Sequence, residues 1–353
     1  MEQLLEMPPL PLATQGLEPV LGQIKSIPED FVVTEIPAYQ PSGEGEFLYL
    51  WVEKRDLSGP FLVRELGRLL GIDSSEIGMA GYKDRKAVTR QWISLPKAAE
   101  KGLGSMELPG LKILETSRHS NKLRPGHLHG NKFEVFLRTN EGERLQERVK
   151  VILARLKEQG LWNFYGEQRF GKNRETLRTG LDLIKGNRVK VPNFLRRLAI
   201  SAVQSALFNE VLRHRIQNGL HRKVIAGDVL SLLPQEKRCL TRDIQEDQQR
   251  LDAGGLAITG PIAGWKVYPE PKEEAMKLEE AIFARFSVPE NVWKQQGKLA
   301  MGSRRVLVYS CPDIEFRLAE GGIWFSFELG AGAYATELLR EITQSELQEE
   351  QEC

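Results

Sequence analysis

Residues 79–92 read Met79-Ala80-Gly81-Tyr82-Lys83-Asp84-Arg85-Lys86-Ala87-Val88-Thr89-Arg90-Gln91-Trp92. One acid, Asp84, stands among four cations: Lys83, Arg85, Lys86 and Arg90. Apolar residues flank the stretch, Ile77 and Met79 before it and Trp92, Ile93 and Leu95 after it. The pattern predicts strand, tight loop and strand, with Gly81 letting the chain turn. Asp84 then sits at a loop tip on a rigid base, a common place for a reactive group. Neighbouring cations favour the charged form of a carboxylate, and a charged carboxylate can serve as nucleophile or base. A surface aspartate in a salt-bridged turn leaves the same pattern, so both readings stand for this stretch.

At 353 residues and 40.0 kDa the chain is long enough for a sizeable core and about two domains. Its apolar, charged and aromatic fractions are those of a globular protein, and no apolar run is long enough for a membrane span. Met1 to Gln15 holds two acids, three prolines and no basic residue, which fits neither a signal nor a transit peptide, and residues 1–19, Pro-rich and without periodicity, read as a loosely held arm. Cys239, Cys311 and Cys353 lie far apart, which fits a reducing cytoplasm better than a disulfide framework. The net charge of +1 hides an uneven distribution. Asn163 to Lys223 carries 13 Lys/Arg against 4 Asp/Glu, whereas Glu337 to Cys353 carries one Arg against six Glu. A basic segment of this kind is an electrostatic footprint of nucleic-acid binding.

Elsewhere, Phe31 to Ile36, Phe47 to Glu53, Leu111 to Glu115, Phe133 to Arg138 and Ile323 to Leu329 read as strands by β-propensity. Ser58-Gly59-Pro60 opens a helix, with Ser58 a cap and Pro60 in its first turn. Glu143 to Glu158 is an amphipathic helix stopped by Gly160. Phe194 to Gln217 is a long helix with one apolar side and Arg196, Arg197, Arg213 and Arg215 near its ends; the charge count favours phosphate-facing roles for these arginines. Trp162 to Gly171 mixes aromatics with Arg169, a pairing that suits RNA stacking. Arg118 to Phe133 mixes cations, amides and glycines suited to phosphate and sugar contacts; its three histidines fit no metal-ligand spacing. Gly330-x-Gly332-x-x-Ala335 mimics a dinucleotide fingerprint, but too little chain follows it to supply the rest of that unit.

Five stretches together resemble the TruD family of tRNA pseudouridine synthases, its bacterial branch in particular. Gly81-x-Lys83-Asp84-x-x-Ala87-x-Thr89-x-Gln91 is similar to the family's catalytic motif. Lys25-x-x-Pro28-Glu29-Asp30-Phe31-x-Val33-x-Glu35 resembles its opening motif. The run from Arg118 to Phe133 resembles a third motif. Asn163 to Gly171 resembles a fourth, with Phe164 and Tyr165 in inverted order. Leu329 to Thr336 resembles the closing motif, with Gly330 in place of a proline and Ala333 in place of a serine. Ile258-Thr259-Gly260-Pro261 also resembles a family turn.

The resemblance implies an α+β fold: a pseudouridine synthase core of mixed sheet flanked by helices, formed by residues 1–160 and 306–353. Residues 161–305 would be an inserted second α+β domain, basic and RNA-binding, with tRNA taken between the two. It implies catalysis by Asp84 aided by Lys25, with Phe31, Asn131 and Tyr334 holding a flipped uridine. The likeness to the bacterial branch points to position 13 of certain tRNAs. Lys83, Arg118, Lys122, Arg124, Arg169, Arg196 and Arg197 are the expected RNA contacts. Asp84 would either attack C1′ of the ribose or remove its C2′ proton. No cofactor or metal is implied, tRNA is the expected partner, and a cytoplasmic monomer is assumed. Two other functions fit parts of the pattern: a non-catalytic RNA-binding protein using the same basic surface, and a nucleotide-dependent RNA helper. The absence of a Gly-rich phosphate loop with Lys-Ser/Thr speaks against the second.

Overall fold

The computed structural model describes residues 1–345 apart from 143, 234, 236, 289 and 290. The chain divides into two compact units. A sheet unit comprises residues 16–154 and the chain from 312 on, and a helical unit comprises residues 1–15 and 155–311. The elements run in the order β1 (Phe31–Pro37), β2 (Phe47–Arg55), α1 (Gly59–Leu70), β3 (Gly78–Met79), β4 (Val88–Pro96), β5 (Leu111–His119), β6 (Leu128–Arg138), α2 (Leu145–Gln159), β7 (Leu161–Trp162), α3 (Glu175–Ile184) and α4 (Asn193–Gln217). They continue as β8 (Val229–Leu232), β9 (Lys237–Leu240), α5 (Ile244–Asp252), β10 (Leu256–Ile262), α6 (Glu273–Arg285), α7 (Val292–Gln296), β11 (Ser303–Val306), β12 (Val308–Tyr309), β13 (Glu315–Ala319), β14 (Gly322–Gly330) and α8 (Ala335–Thr343).

The sheet unit is built on one mixed sheet in the order β13-β14-β6-β1-β4-β2-β5, with β3 paired to β4. Only β1 and β4 run parallel; the other pairs are antiparallel. Alternation decides which side chains face inward, because residues two apart share a face. In β1, Phe31, Val33 and Glu35 are buried. The strand register extends that face across the sheet: Lys54 lies beside Thr89, Thr89 beside Val33, Val33 beside Phe133, and Phe133 beside Phe327. The next row runs Glu35, Asn131, Leu329. Gly130 adjoins this row because a Cβ there would meet the Leu329 carbonyl oxygen at 2.2 Å. Helix α1 begins where the sequence indicates, with the Ser58 side chain accepting from the Phe61 N–H and Pro60 in the first turn. Its Leu62 and Leu66 pack on Leu48, Leu50, Val52, Ile93 and Leu95. The amphipathic pattern expected from Glu143 forms helix from Leu145, and Glu143 itself lies outside the described residues, as does the acidic tail beyond residue 345.

The helical unit is organised around α4, whose buried residues include Ala199, Ile200, Val203, Leu207 and Val211. A four-stranded sheet, β11-β10-β8-β9, and the short β12-β7 pair complete it. The expected turn at Ile258–Pro261 is instead part of β10. Gly260 permits this, because a Cβ there would come within 2.6 Å of Leu307 and 3.1 Å of Phe208. Of residues 1–19, expected to be a loose arm of the first domain, residues 1–15 pack into this unit instead. Leu4 and Met7 join the core with Leu177 and Val203, while Arg174 donates to the carbonyls of Leu5 and Met7 and Arg213 to those of Pro8 and Pro9. The apolar residues among the prolines supply the burial that a polar arm would lack.

Two buried ion pairs tie this unit together. Arg304 meets both carboxylate oxygens of Glu279, at 2.7 and 2.9 Å, and donates to the Thr259 carbonyl at 2.7 Å. Arg215 forks onto Asp228, which also accepts from the Ile225 N–H at 3.0 Å. Removing one member of such a pair strands the other charge in the interior. Arg304→Met is therefore expected to cost about 3–5 kcal/mol in the urea transition of this unit, and adding Glu279→Leu to recover the larger part. Equal stability of Arg304→Met and wild type would contradict the assignment.

Candidate active site

Asp84 occupies the loop between β3 and β4, close to where β4 turns parallel to β1. The Lys25 ammonium donates to Asp84 Oδ2 at 3.0 Å. The lysine side chain is 10 % exposed and the aspartate side chain 40 %, so the carboxylate faces outward over a covered cation. Lys25 has φ +55°, a left-handed conformation that costs a side-chain-bearing residue about 1–2 kcal/mol. Its ammonium also lies 4.2 Å from the centre of the Phe31 ring, which adds a cation–π attraction.

The other cations of the loop do not converge on Asp84. Arg85 pairs with Asp56 at 3.4 Å and Arg90 with Glu53 at 2.8 Å. Lys83 turns inward: its ammonium lies 3.4 Å from Glu35 Oε2, and its side chain is 6 % exposed. Lys83 was expected to meet RNA, but burial directs its charge to Glu35 instead. The salt-bridged reading of the stretch thus describes its arginines and Lys83, whereas Asp84 is held by a lysine from outside the stretch.

Beneath the loop lies a polar floor. Glu35 Oε1 accepts from the Trp92 N–H at 3.3 Å, and the Gln91 side-chain amide donates to the Gly81 carbonyl at 3.4 Å. Lys54, fully buried at 0 % exposure, donates to the carbonyls of Asp84 at 2.8 Å and Leu57 at 2.6 Å. Thr89 Oγ1, Gln91 Oε1 and Asn131 Oδ1 are buried with no hydrogen-bond partner among the described residues, and Glu35 Oε2 makes no hydrogen bond beyond its long 3.4 Å approach to the Lys83 ammonium. Glu35, Lys54 and Gln91 were given no role by the sequence reading. A signal was present: in the alternations Phe31-Val33-Glu35 and Leu48-Leu50-Val52-Lys54, a charge falls on the apolar face.

Of the expected uridine contacts, Phe31 and Asn131 lie on this face and Tyr334 follows β14. Asn131 sits on β6 between Glu35 and Leu329. Phe31 is 1 % exposed and meets Phe133 edge-on at 6.0 Å. Tyr334 caps the start of α8 and is 41 % exposed. Tyr334 is thus partly exposed, whereas the Phe31 ring is covered, by Lys25 among others.

Of the expected RNA contacts, Arg124 and Arg197 are exposed. Arg118 pairs with Glu100 at 2.5 Å, and the Lys122 ammonium donates to the Ser75 carbonyl. In the helical unit, Arg169 donates to Ser205 Oγ at 3.1 Å and to Ser201, beside the Tyr165 ring; Arg196 is half-buried. Arg213 and Arg215, counted with the basic segment, are buried in internal ion pairs. His119 stacks on Tyr39 and His127 Nδ1 lies 2.8 Å from the Tyr39 hydroxyl, so these histidines serve an aromatic cluster. Among the described residues no group of three or more His, Cys, Asp or Glu is placed to hold a metal, and no helix is long and apolar enough to cross a membrane.

The site is thus an outward carboxylate over a covered cation, set on a mixed sheet. A solved structure from Methanosarcina mazei, of a chain assigned to TruD, superposes with a TM-score of 0.76 at 21 % identity, covering 95 % of this chain and 96 % of that one. The profile of the family described as tRNA pseudouridine synthase D (TruD) matches residues 11–190 and 184–342. The tRNA pseudouridine synthase D of a Thermus thermophilus strain is 37 % identical over 337 residues, 95 % of this chain and 92 % of the relative. That of an Anaeromyxobacter species is 38 % identical over 340 residues, 94 % of this chain and 95 % of the relative. The chain belongs to the TruD family.

The floor has a pH signature. Burial raises the Glu35 pKa above its ordinary 4.5, against the opposing pull of the Lys83 ammonium and the Trp92 N–H. The folded protein then holds that proton more tightly than the unfolded chain. The resulting stability is fully present below the unfolded value and is lost as pH rises through the folded one. Urea unfolding from about pH 4 to about pH 7 should show the wild-type minus Glu35→Gln difference falling with pH. A difference independent of pH would contradict the assigned shift.

Proposed function

We propose that this protein is a tRNA pseudouridine synthase, an isomerase that converts a uridine of tRNA, position 13 in the fullest form of the reading, to pseudouridine. The observation that carries the reading is the Lys25–Asp84 pair, 3.0 Å apart, on a family motif loop at the end of the mixed sheet.

The chemistry follows from an exposed carboxylate braced by a cation. A base stacked in a helix is out of its reach, so the uridine must first leave the stack. Asp84 then either attacks C1′, forming a C1′–O bond, or takes the C2′ proton. In either case the C1′–N1 bond breaks and its electron pair leaves with the uracil ring. The ring turns and C5 bonds to C1′; in the first route this breaks the C1′–O bond and frees the Asp84 carboxylate, and in the second Asp84 returns the proton to C2′. The C5 proton then departs and N1 gains a proton. Atoms and oxidation level are conserved, so the reaction requires no cofactor. Lys25 stabilises and aims the carboxylate at the start of this sequence. Tyr334, partly exposed, would supply a ring for stacking, the buried Asn131 amide oxygen, without a hydrogen-bond partner among the described residues, would accept from an N–H donor, and Phe31 would add a second ring from the same face as Asn131. The exposed Arg124 and Arg197 suit phosphate contacts. Acting on tRNA, the protein would work in the cytoplasm, as a monomer.

The decisive comparison is Asp84→Asn beside Asp73→Asn, which alters an acid capping a short turn of the same unit. Pseudouridine is counted in nuclease digests of tRNA. Asp84→Asn should keep its fold and its tRNA binding and lose turnover to background, because its loop neighbours supply no second carboxylate. Asp73→Asn should turn over as wild type does. Appreciable turnover by Asp84→Asn would move the chemistry elsewhere.

A further inference from the structure

We propose that Lys54 is the positioning residue of Asp84, fixing the catalytic carboxylate through the backbone of its loop rather than by touching substrate. The inference rests on the isomerase reading above and adds a residue that acts on Asp84 from below.

Lys54 follows Leu48, Leu50 and Val52 on the covered face of β2, and its Cα partners are Thr89 on β4 and Leu111 on β5. A lysine on that face loses all its water, and its side chain has no exposure. Burying an ammonium is unfavourable unless its donors are met by acceptors. Here those acceptors include three main-chain carbonyls: Leu57 at 2.6 Å, Asp84 at 2.8 Å and, more loosely, Lys83 at 3.4 Å.

The choice of carbonyls is the telling feature. The carbonyls of residues 83 and 84 belong to the two peptide planes on either side of the Asp84 Cα. Peptide planes are rigid, so only φ and ψ of Asp84 separate them. One ammonium reaching both restricts those two angles together and so sets the direction of the Cα–Cβ bond. The Leu57 carbonyl anchors the same ammonium to the chain after β2. Among the described residues no strand forms between Met79 and Val88. Backbone hydrogen bonds hold the two ends of the loop, from the Gly126 N–H to the Ala80 carbonyl at 2.8 Å and from the Asp56 N–H to the Ala87 carbonyl at 3.2 Å, and the Lys54 clamp holds its middle at Lys83 and Asp84. Lys25 fixes the carboxylate and Lys54 fixes its backbone. An ammonium suits the task, because three donors on a compact centre can serve three converging oxygens.

Lys54→Met keeps most of the volume and removes the donors. The full-length variant should melt cooperatively and bind tRNA within about twofold of wild type, while single-turnover pseudouridine formation slows on the order of a hundredfold. Amide hydrogen exchange across residues 80–87 should rise about tenfold or more, with the rest of the sheet unchanged. A purely structural lysine would lower stability without this split between rate and affinity. Lys54→Gln, which keeps a donor and loses the charge, carries the same measurements if the Met variant fails to fold. Wild-type exchange in the loop, or a wild-type rate in a folded variant, overturns the proposal. If wild type itself forms no pseudouridine, the isomerase reading falls, and the exchange measurement still decides whether Lys54 holds the loop.

Discussion

A reactive carboxylate must face solvent and yet point in one direction. In this protein that requirement falls on a loop of irregular backbone between a two-residue strand and the central strand β4. Three lysines meet it from three sides. Lys25 takes the carboxylate, Lys54 takes the carbonyls, and Lys83 is drawn inward to Glu35. Each of these contacts depends on the sheet. Lys54 is delivered by the β2–β4 register, Glu35 by β1, and the row continuing through Asn131 to Leu329 by the pairing of β6 with the late strand β14. The mixed sheet is therefore the device that brings residues from both ends of the chain to one face.

Buried polarity recurs as a construction principle in both units. Glu35 and Lys83 in one unit, and Arg304–Glu279 and Arg215–Asp228 in the other, are withdrawn from water and paired. Such pairs contribute less net stability than they lose when broken. They also change what the basic segment can do. Its Arg213 and Arg215 are spent on internal contacts, so RNA attraction rests on fewer cations than the sequence count implies.

The Asp84 loop and the flanking strands were legible because strand alternation and a charged turn leave a local pattern. Lys25 and Asp84 were linked through family resemblance, since the two lie fifty-nine positions apart and carry no local signal of a contact between them. The inward turn of Lys83 was not legible: four cations around one acid look alike until register shows that Glu35 lies beneath. Lys54 could have been noticed, as a charge on an otherwise apolar face, but its acceptors are carbonyls, which any residue supplies. The packed N-terminal arm was missed for a different reason. Prolines suggested looseness, while the burial of Leu4 and Met7 depends on a core assembled from distant helices.

The central claim is that Asp84, held in this way, breaks and remakes the bond between a uridine base and its ribose. Isomerisation exchanges the C5–H bond for a C5–C1′ bond, so the hydrogen on C5 must leave. The direct measurement is incubation of the protein with tRNA tritiated at uridine C5, following tritium in water alongside tRNA binding. The account predicts release in step with pseudouridine formation by wild type and none by Asp84→Asn. Tight tRNA binding by wild type with no release would contradict it and leave an RNA-binding protein in its place.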